Sequence, residues 1–224
     1  AILSAPQFDY DSGALIDRGC LLDPFLNPVP NLDDTRHDVA MTIGACLWIP
    51  HTLWEALGGF PEWFESIGED LYLCCCARLC GHPVRVLLSS GYRHRVGASF
   101  GGGKIRAGRL ATTRRRRALS ERNKLFTAIV CQPMVLLLTL LPLHLVLIHL
   151  EGAAIALVKR DAELWTKVYV PLLPSIWRKR KDLWHARVAK QSRRSMSIRD
   201  WLSAFQWRPW KLQMLFRHGL PDVR

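Results

Sequence analysis

Apolar positions change their period several times along this chain. The first forty residues are rich in Asp, Pro and Gly, and short apolar runs such as Ala1-Ile2-Leu3 alternate with turn signals at Asp11-Ser12-Gly13 and Asn27-Pro28. Short strands joined by turns are predicted there. Over residues 39–49, Met41, Ile43, Ala45 and Leu47 alternate with Thr42 and Gly44, which predicts a strand that closes before Pro50. A short helix is predicted over 52–57, ended by Gly58-Gly59, because glycine takes a left-handed C-cap at little cost. A second helix is predicted over Glu69–Leu79, with Gly81 just past its end, and a strand over 84–88. Strand, helix, helix, strand is an α/β order of elements.

After Gly91 the pattern changes. Gly101-Gly102-Gly103 predicts a flexible break, and Arg114, Arg115, Arg116 and Arg117 form a basic run. Residues 125–150 contain no Lys, Arg, Asp or Glu. A bilayer crossing needs about twenty apolar residues, so this run is long enough. Pro133, Pro142, His144 and His149 interrupt it, and bases stand on both sides, whereas the positive-inside rule favours one. A single span, a re-entrant or in-plane helical hairpin, and a buried core helix stay open.

Beyond Lys159 the chain mixes bases with Trp165, Trp177, Trp184, Trp201, Trp207 and Trp210. Ile176, Trp177, Leu183, Trp184 and Val188 share one side of a helix, with Arg178, Lys179, Lys181 and Arg187 mostly around the other. That pattern fits a helix lying in a membrane surface, or a solvated helix packed on its own domain through its tryptophans. Three segments are expected: 1–112 as an α/β unit, 113–158 as a basic segment with membrane-associated apolar helices, and 159–224 as a basic, Trp-rich amphipathic tail.

Charge divides the chain the same way. Residues 1–92 carry twelve acids against four bases, and residues 93–224 carry seven against twenty-seven, within a formal net charge of +12. The two parts are expected to do different work, with the basic part facing phosphates. Seven cysteines, an odd count with three of them consecutive, do not read as a secreted disulfide framework and favour a reducing compartment. Three successive helical positions point about 100° apart, so Cys74, Cys75 and Cys76 read as small core hydrophobes ahead of metal ligands.

The chemistry concentrates in residues 58–70. Glu69-Asp70 sets two carboxylates at a helix start, behind Trp63, Phe64 and Gly68. Acids are common in a first helical turn because of its dipole. Like charges side by side also raise each other's pKa, which suits a general base near neutral pH. Asp9-Tyr10-Asp11 spells a metal-binding Asp-x-Asp, but residues 7–13 read as a turn with no apolar strand leading in, so it is rejected as a metal site.

Residues 44–49 (Gly-Ala-Cys-Leu-Trp-Ile), Gly58-Gly59-Phe60, Glu62-Trp63-Phe64, Gly68-Glu69-Asp70, Leu73-Cys74, Ala77-Arg78-Leu79 and Gly81 resemble the acceptor half of family 2 glycosyltransferases, the rhamnosyltransferase-like members above all. His94, Gly97 and Ser99, and then Arg122-Asn123, resemble that family's downstream motifs. The resemblance implies the acceptor side of a GT-A fold and inverting transfer of a sugar from a nucleotide-sugar to a lipid-linked or cell-surface polysaccharide acceptor. Asp70 would be the general base, and Glu69 would tune it or bind acceptor. Trp63 and Phe64 would offer faces to a sugar ring. Gly59, Arg95, Arg122 and Asn123 complete the implied substrate-binding set. His94 would stand near the diphosphate and a divalent cation, Mg²⁺ or Mn²⁺. The basic, Trp-rich tail is expected to hold the protein on an anionic membrane surface, at the cytoplasmic face of the bacterial inner membrane, and no nucleic acid is expected.

The chain departs from the family at Pro61, Tyr72 and Cys76, where Asp, Asp and Arg are common. The family's nucleotide-binding half is expected upstream of Ala1, and this chain alone is expected not to turn over. The rival reading is a non-catalytic membrane-associated or nucleic-acid-binding basic protein. The uncharged run 125–150 has no use on a polynucleotide.

Overall fold

The computed structural model describes residues 1–88, 90–97, 102–106 and 108–224. Ser99 and Gly101 lie outside the described residues, whereas Gly102 and Gly103, expected in a flexible break, begin a strand.

Short strands dominate the first hundred residues, as the turn-rich composition predicts. β1 (Ile2–Ser4), β2 (Gln7–Asp9), β3 (Leu15–Asp17), β4 (Cys20–Leu22), β5 (Pro28–Pro30) and β6 (Asp38–Val39) come first. α1 (His51–Leu57) and α2 (Glu69–Leu79) follow, then β7 (Val84–Val86) and β8 (Tyr92–His94). β1 runs parallel to β7, which pairs antiparallel with β6. β2 lies between β3, antiparallel, and β8, parallel. β4 and β5 form a hairpin. The mixed helix-and-strand class holds, and both helices stand where the pattern put them, α1 closing on Gly58 in the left-handed region.

The strand expected over 39–49 does not form. Only Val39 joins the ladder, and Met41 and Trp48 make isolated bridges to Cys20 and Leu3. Between them the chain turns, and the Gly44 N–H is directed to a side chain of α2 instead of a neighbouring strand. The apolar alternation there serves burial without a continuous ladder.

The second half is helical: α3 (Arg114–Cys131), α4 (Met134–Lys159), α5 (Ala162–Leu164) running into a π-helical segment (Trp165–Tyr169), α6 (Leu172–Gln191), α7 (Ile198–Leu202) and α8 (Trp210–His218). β9 (Gly102–Arg106) and β10 (Arg109–Thr112) precede them, and β11 (Asp222–Val223) pairs parallel with β10. The uncharged run is broken at Gln132, which is extended because it precedes Pro133. α4 therefore folds back along α3, with Arg117 meeting Glu151 and Leu125 sharing a cluster with Ile148.

The three sequence segments share one core. It contains Ile2 and Leu22 from the strands, Leu73 to Ala77 from α2, Phe126 and Val130 from α3, and Leu183 and Trp201 from the tail. Trp201 is completely buried, with Arg78 stacked on it at 5.4 Å and donating to the Asp200 and Trp201 carbonyls. Leu183 and Arg187 of α6 are also buried, Arg187 donating to the carbonyls of Ile129 and Gln132 at the end of α3. The amphipathic stripe expected on α6 is thus shifted: Trp177 and Trp184 remain outside, while Leu183 and Arg187 turn inward. Cys74, Cys75 and Cys76 are core residues, all seven cysteines are free, and Cys76 Sγ lies 3.6 Å from Cys131 Sγ.

Candidate functional site

The loop ahead of α2 is held in an unfavourable backbone conformation. Glu65 has φ 63°, Ile67 φ 67° and Gly68 φ 90°. A positive φ is costly for a β-branched residue such as Ile67 and persists only where surroundings enforce it. Asn123 supplies the enforcement. It is fully buried, and its Nδ2 donates to the carbonyls of Phe64 (2.9 Å), Ser66 (3.0 Å) and Ile67 (2.7 Å). Arg122 adds bonds to the Phe64 carbonyl and the Glu65 carboxylate. These two residues, expected to bind substrate, instead clamp the loop that delivers Glu69 and Asp70.

Asp70 lies in the first turn of α2. Its Oδ2 accepts from the Gly44 N–H at 3.0 Å and its Oδ1 from the Leu71 N–H at 2.7 Å. Among the described residues it has no ion pair within salt-bridge distance. Burial pushes its pKa up, opposed by the Gly44 and Leu71 N–H groups and by the more distant Arg116. Glu69 is raised too, first by burial and further by the neighbouring Asp70 charge, and its Oε2 is buried with no hydrogen-bond partner among the described residues. Arg116 feels both carboxylates. Sequence reading missed it. The available signal was the arginine run at the start of α3, behind the N-cap Thr113, whose side chain accepts from Arg116 N–H.

The facing wall comes from the β3–β2–β8 sheet. Gln7 is in register with Asp17 on one side and Tyr92 on the other. Tyr92 donates its hydroxyl to Gln7 Oε1 at 2.8 Å, and Gln7 Nε2 has no partner among the described residues. Asp17 is buried, accepts from the Gly19 N–H, and has its pKa pushed up to about 6 by burial. Asp17 and Asp70 both act electrostatically on Cys20 and on Tyr92, which puts the two carboxyls on one neighbourhood. Neither Asp17 nor Tyr92 was singled out from sequence, because short strands with no clear alternation give no register.

His94 follows Tyr92 by two residues and shares its sheet face, with ring centroids 6.3 Å apart. Arg95 is exposed and stacks over Tyr10 at 4.1 Å. Asp9, opposite His94 in the ladder, does end a short strand, and its carboxylate accepts from the Ser12 N–H and hydroxyl. A hollow of about 350 Å³ lined by Phe8, Gly13, Gly91, Tyr92 and Arg93 opens beside this wall. Another, of about 480 Å³, lies at the opposite end of α2 near Arg78 and Asp200, away from Asp70.

Two expected sugar-facing aromatics are turned inward. Phe64 is completely buried and packs on Trp63, Tyr72 and Phe126 at centroid distances of 4.9, 5.0 and 6.1 Å. It offers no face to a ligand. Trp63 is only partly exposed and packs on Phe126 at 5.5 Å. Gly59 is needed for packing: at φ 59° a Cβ there would come within 2.7 Å of the Trp54 ring.

Among the described residues no three His, Cys, Asp or Glu side chains converge as a ligand set. No protein-family model, curated protein or solved structure matches this chain.

Proposed function

We propose that this chain is the acceptor-side half of a GT-A glycosyltransferase and that Asp70 is its general base. One observation carries the reading: a carboxylate raised by burial, oriented by two backbone N–H groups, and free of any ion pair among the described residues. A group so placed takes a proton near neutral pH more readily than an exposed aspartate does. The substrate class is a nucleotide-sugar donor with a lipid-linked or polysaccharide acceptor at a membrane surface.

Asp70 accepts the proton of the acceptor hydroxyl as that oxygen attacks the anomeric carbon. The sugar–phosphate bond breaks, and the electron pair leaves with the nucleoside diphosphate. The Gly44 N–H keeps Oδ2 in place, and Arg116 limits how far the base is raised. Glu69 supplies a desolvated carboxylate oxygen with no partner among the described residues, suited to an acceptor hydroxyl. The role the resemblance gives His94, beside a diphosphate-bound cation, requires further ligands from donor or protein.

Cells carrying Asp70→Asn test the reading. Loss of general-base catalysis lowers transfer by about 10²–10⁴-fold. An unchanged glycan product would overturn it and favour the second reading, a non-catalytic membrane-bound basic protein. That reading draws on Tyr72 and Cys76, where the family's polar pair is replaced by core packing.

A further inference from the structure

We infer that α4 is the floor of an in-plane docking face for an anionic bilayer, seated in one leaflet and not crossing the membrane. α4 is 26 residues long and highly apolar, with little of its apolar window buried. At 1.5 Å per residue it runs about 39 Å, enough to cross a bilayer. Its two sides have different fates. Val135, Leu138, Val146, Leu147, Leu150 and Leu157 recur at helical spacing and are 42–78 % exposed. Every residue of this exposed stripe is uncharged.

The opposite side is committed to the protein. His144, Ile148, Gly152 and Ile155 are buried at successive turns. Gly152 lies so close to the Tyr169 ring that a Cβ would come within 2.4 Å of it. Glu151 pairs with Arg117 at 2.5 Å and Lys211 at 2.7 Å, and Lys211 reaches Glu121 as well. A helix crossing the bilayer with these partners would carry four charged side chains and the domain body into hydrocarbon, where charge is strongly disfavoured even when paired. Lying flat, the same helix gives its apolar stripe to lipid and leaves the charge network in the protein.

The occupant is an anionic surface because of what flanks α4. α6 runs antiparallel to it across α3: Arg187 of α6 reaches Met134 Sδ at one end, and Leu172 clusters with Ile155 at the other. Leu173, Trp177, Trp184 and Val188 are 49–67 % exposed on α6, and Arg180 and Lys181 border them, Arg180 stacking on Trp177 at 4.3 Å. Trp at headgroup level beside exposed bases is the pattern of an interfacial helix on acidic lipid. This inference does not depend on sugar transfer.

The test uses the full chain with vesicles of phosphatidylcholine containing roughly a third phosphatidylglycerol. Leu138→Cys, Val146→Cys and Leu157→Cys each carry an environment-sensitive fluorophore, the native thiols being buried or half-buried. Nitroxide lipids labelled at shallow and deep acyl positions report depth. All three sites are expected at one shallow depth, about 5–10 Å below the headgroups. Pure phosphatidylcholine should bind at least about tenfold more weakly. Val146→Glu, on the exposed stripe, should lower binding to the acidic vesicles by about tenfold or more with an unchanged melting curve. Label at Val146 at the bilayer centre with Leu138 and Leu157 towards opposite faces would overturn the inference. So would no vesicle binding, or a lipid-free dimer that shields the labels.

Discussion

Asn123 on α3 sets its Nδ2 2.7 Å from the carbonyl of Ile67, a β-branched residue at φ 67° three positions before Asp70. The bond ties the long helix to the start of α2 and makes the position of the base a property of both. Asn123→Ala leaves three loop carbonyls without this donor. Stability is expected to fall by about 1–3 kcal/mol. Asn123→Asp, which removes the donor at nearly constant shape, should cost at least as much. Urea unfolding measures both; an unchanged midpoint would show that the loop holds itself.

Asp17 gives a pH signature independent of any assay of activity. Its folded pKa of about 6 lies above the ordinary 3.8, so the folded state binds this proton more tightly than the unfolded state. Its contribution is fully present below pH 3.8 and is lost as the pH rises through about 6. Asp17→Asn removes that loss and keeps an acceptor for the Gly19 N–H. The variant is expected to be more stable than the parent at pH 7, by up to about 3 kcal/mol, with the difference shrinking towards pH 4. Equal stability at both pH values would contradict the buried carboxylate.

Arg116 and Asp70 make a paired prediction. The Arg116 charge lowers a carboxyl that burial raises. With the nucleotide-binding half supplied, Arg116→Ala should therefore move the acid limb of the transfer pH–rate profile to higher pH, while Arg116→Lys should largely restore it. Asp70→Asn should lose transfer without losing stability at pH 7, because it relieves a desolvated charge and still accepts from the Gly44 N–H. Measuring melting temperature beside product formation separates a lost base from a lost fold.

Phe64 belongs to the core. Phe64→Ala opens a cavity among Trp63, Tyr72 and Phe126 and is expected to cost about 3–5 kcal/mol. Phe64→Leu should retain most of the stability. If Phe64→Ala instead left the denaturation midpoint in place and only weakened acceptor binding, the aromatic would be a ligand platform after all.

Local pattern determined much of this protein. Helices α1 and α2 were legible because capping glycines and apolar spacing act within a few residues, and the uncharged run announced a long apolar helix wherever it would lie. The acidic pair was legible as a helix start for the same reason. Register, side and partner were not, since they depend on residues far apart in the chain. The pattern at Phe64 and at Arg122-Asn123 is the same whether those side chains face a sugar or hold a loop. Only the packing of α3 against the loop ahead of α2 gave Phe64 to the core and Arg122 and Asn123 to the loop. Arg116 and Asp17 gain their relation to Asp70 from a helix and a strand that are distant in sequence. Likewise, apolar composition made α4 long enough to cross a bilayer, while the Arg117–Glu151–Lys211 contacts, formed only in the folded chain, commit one of its sides to the protein.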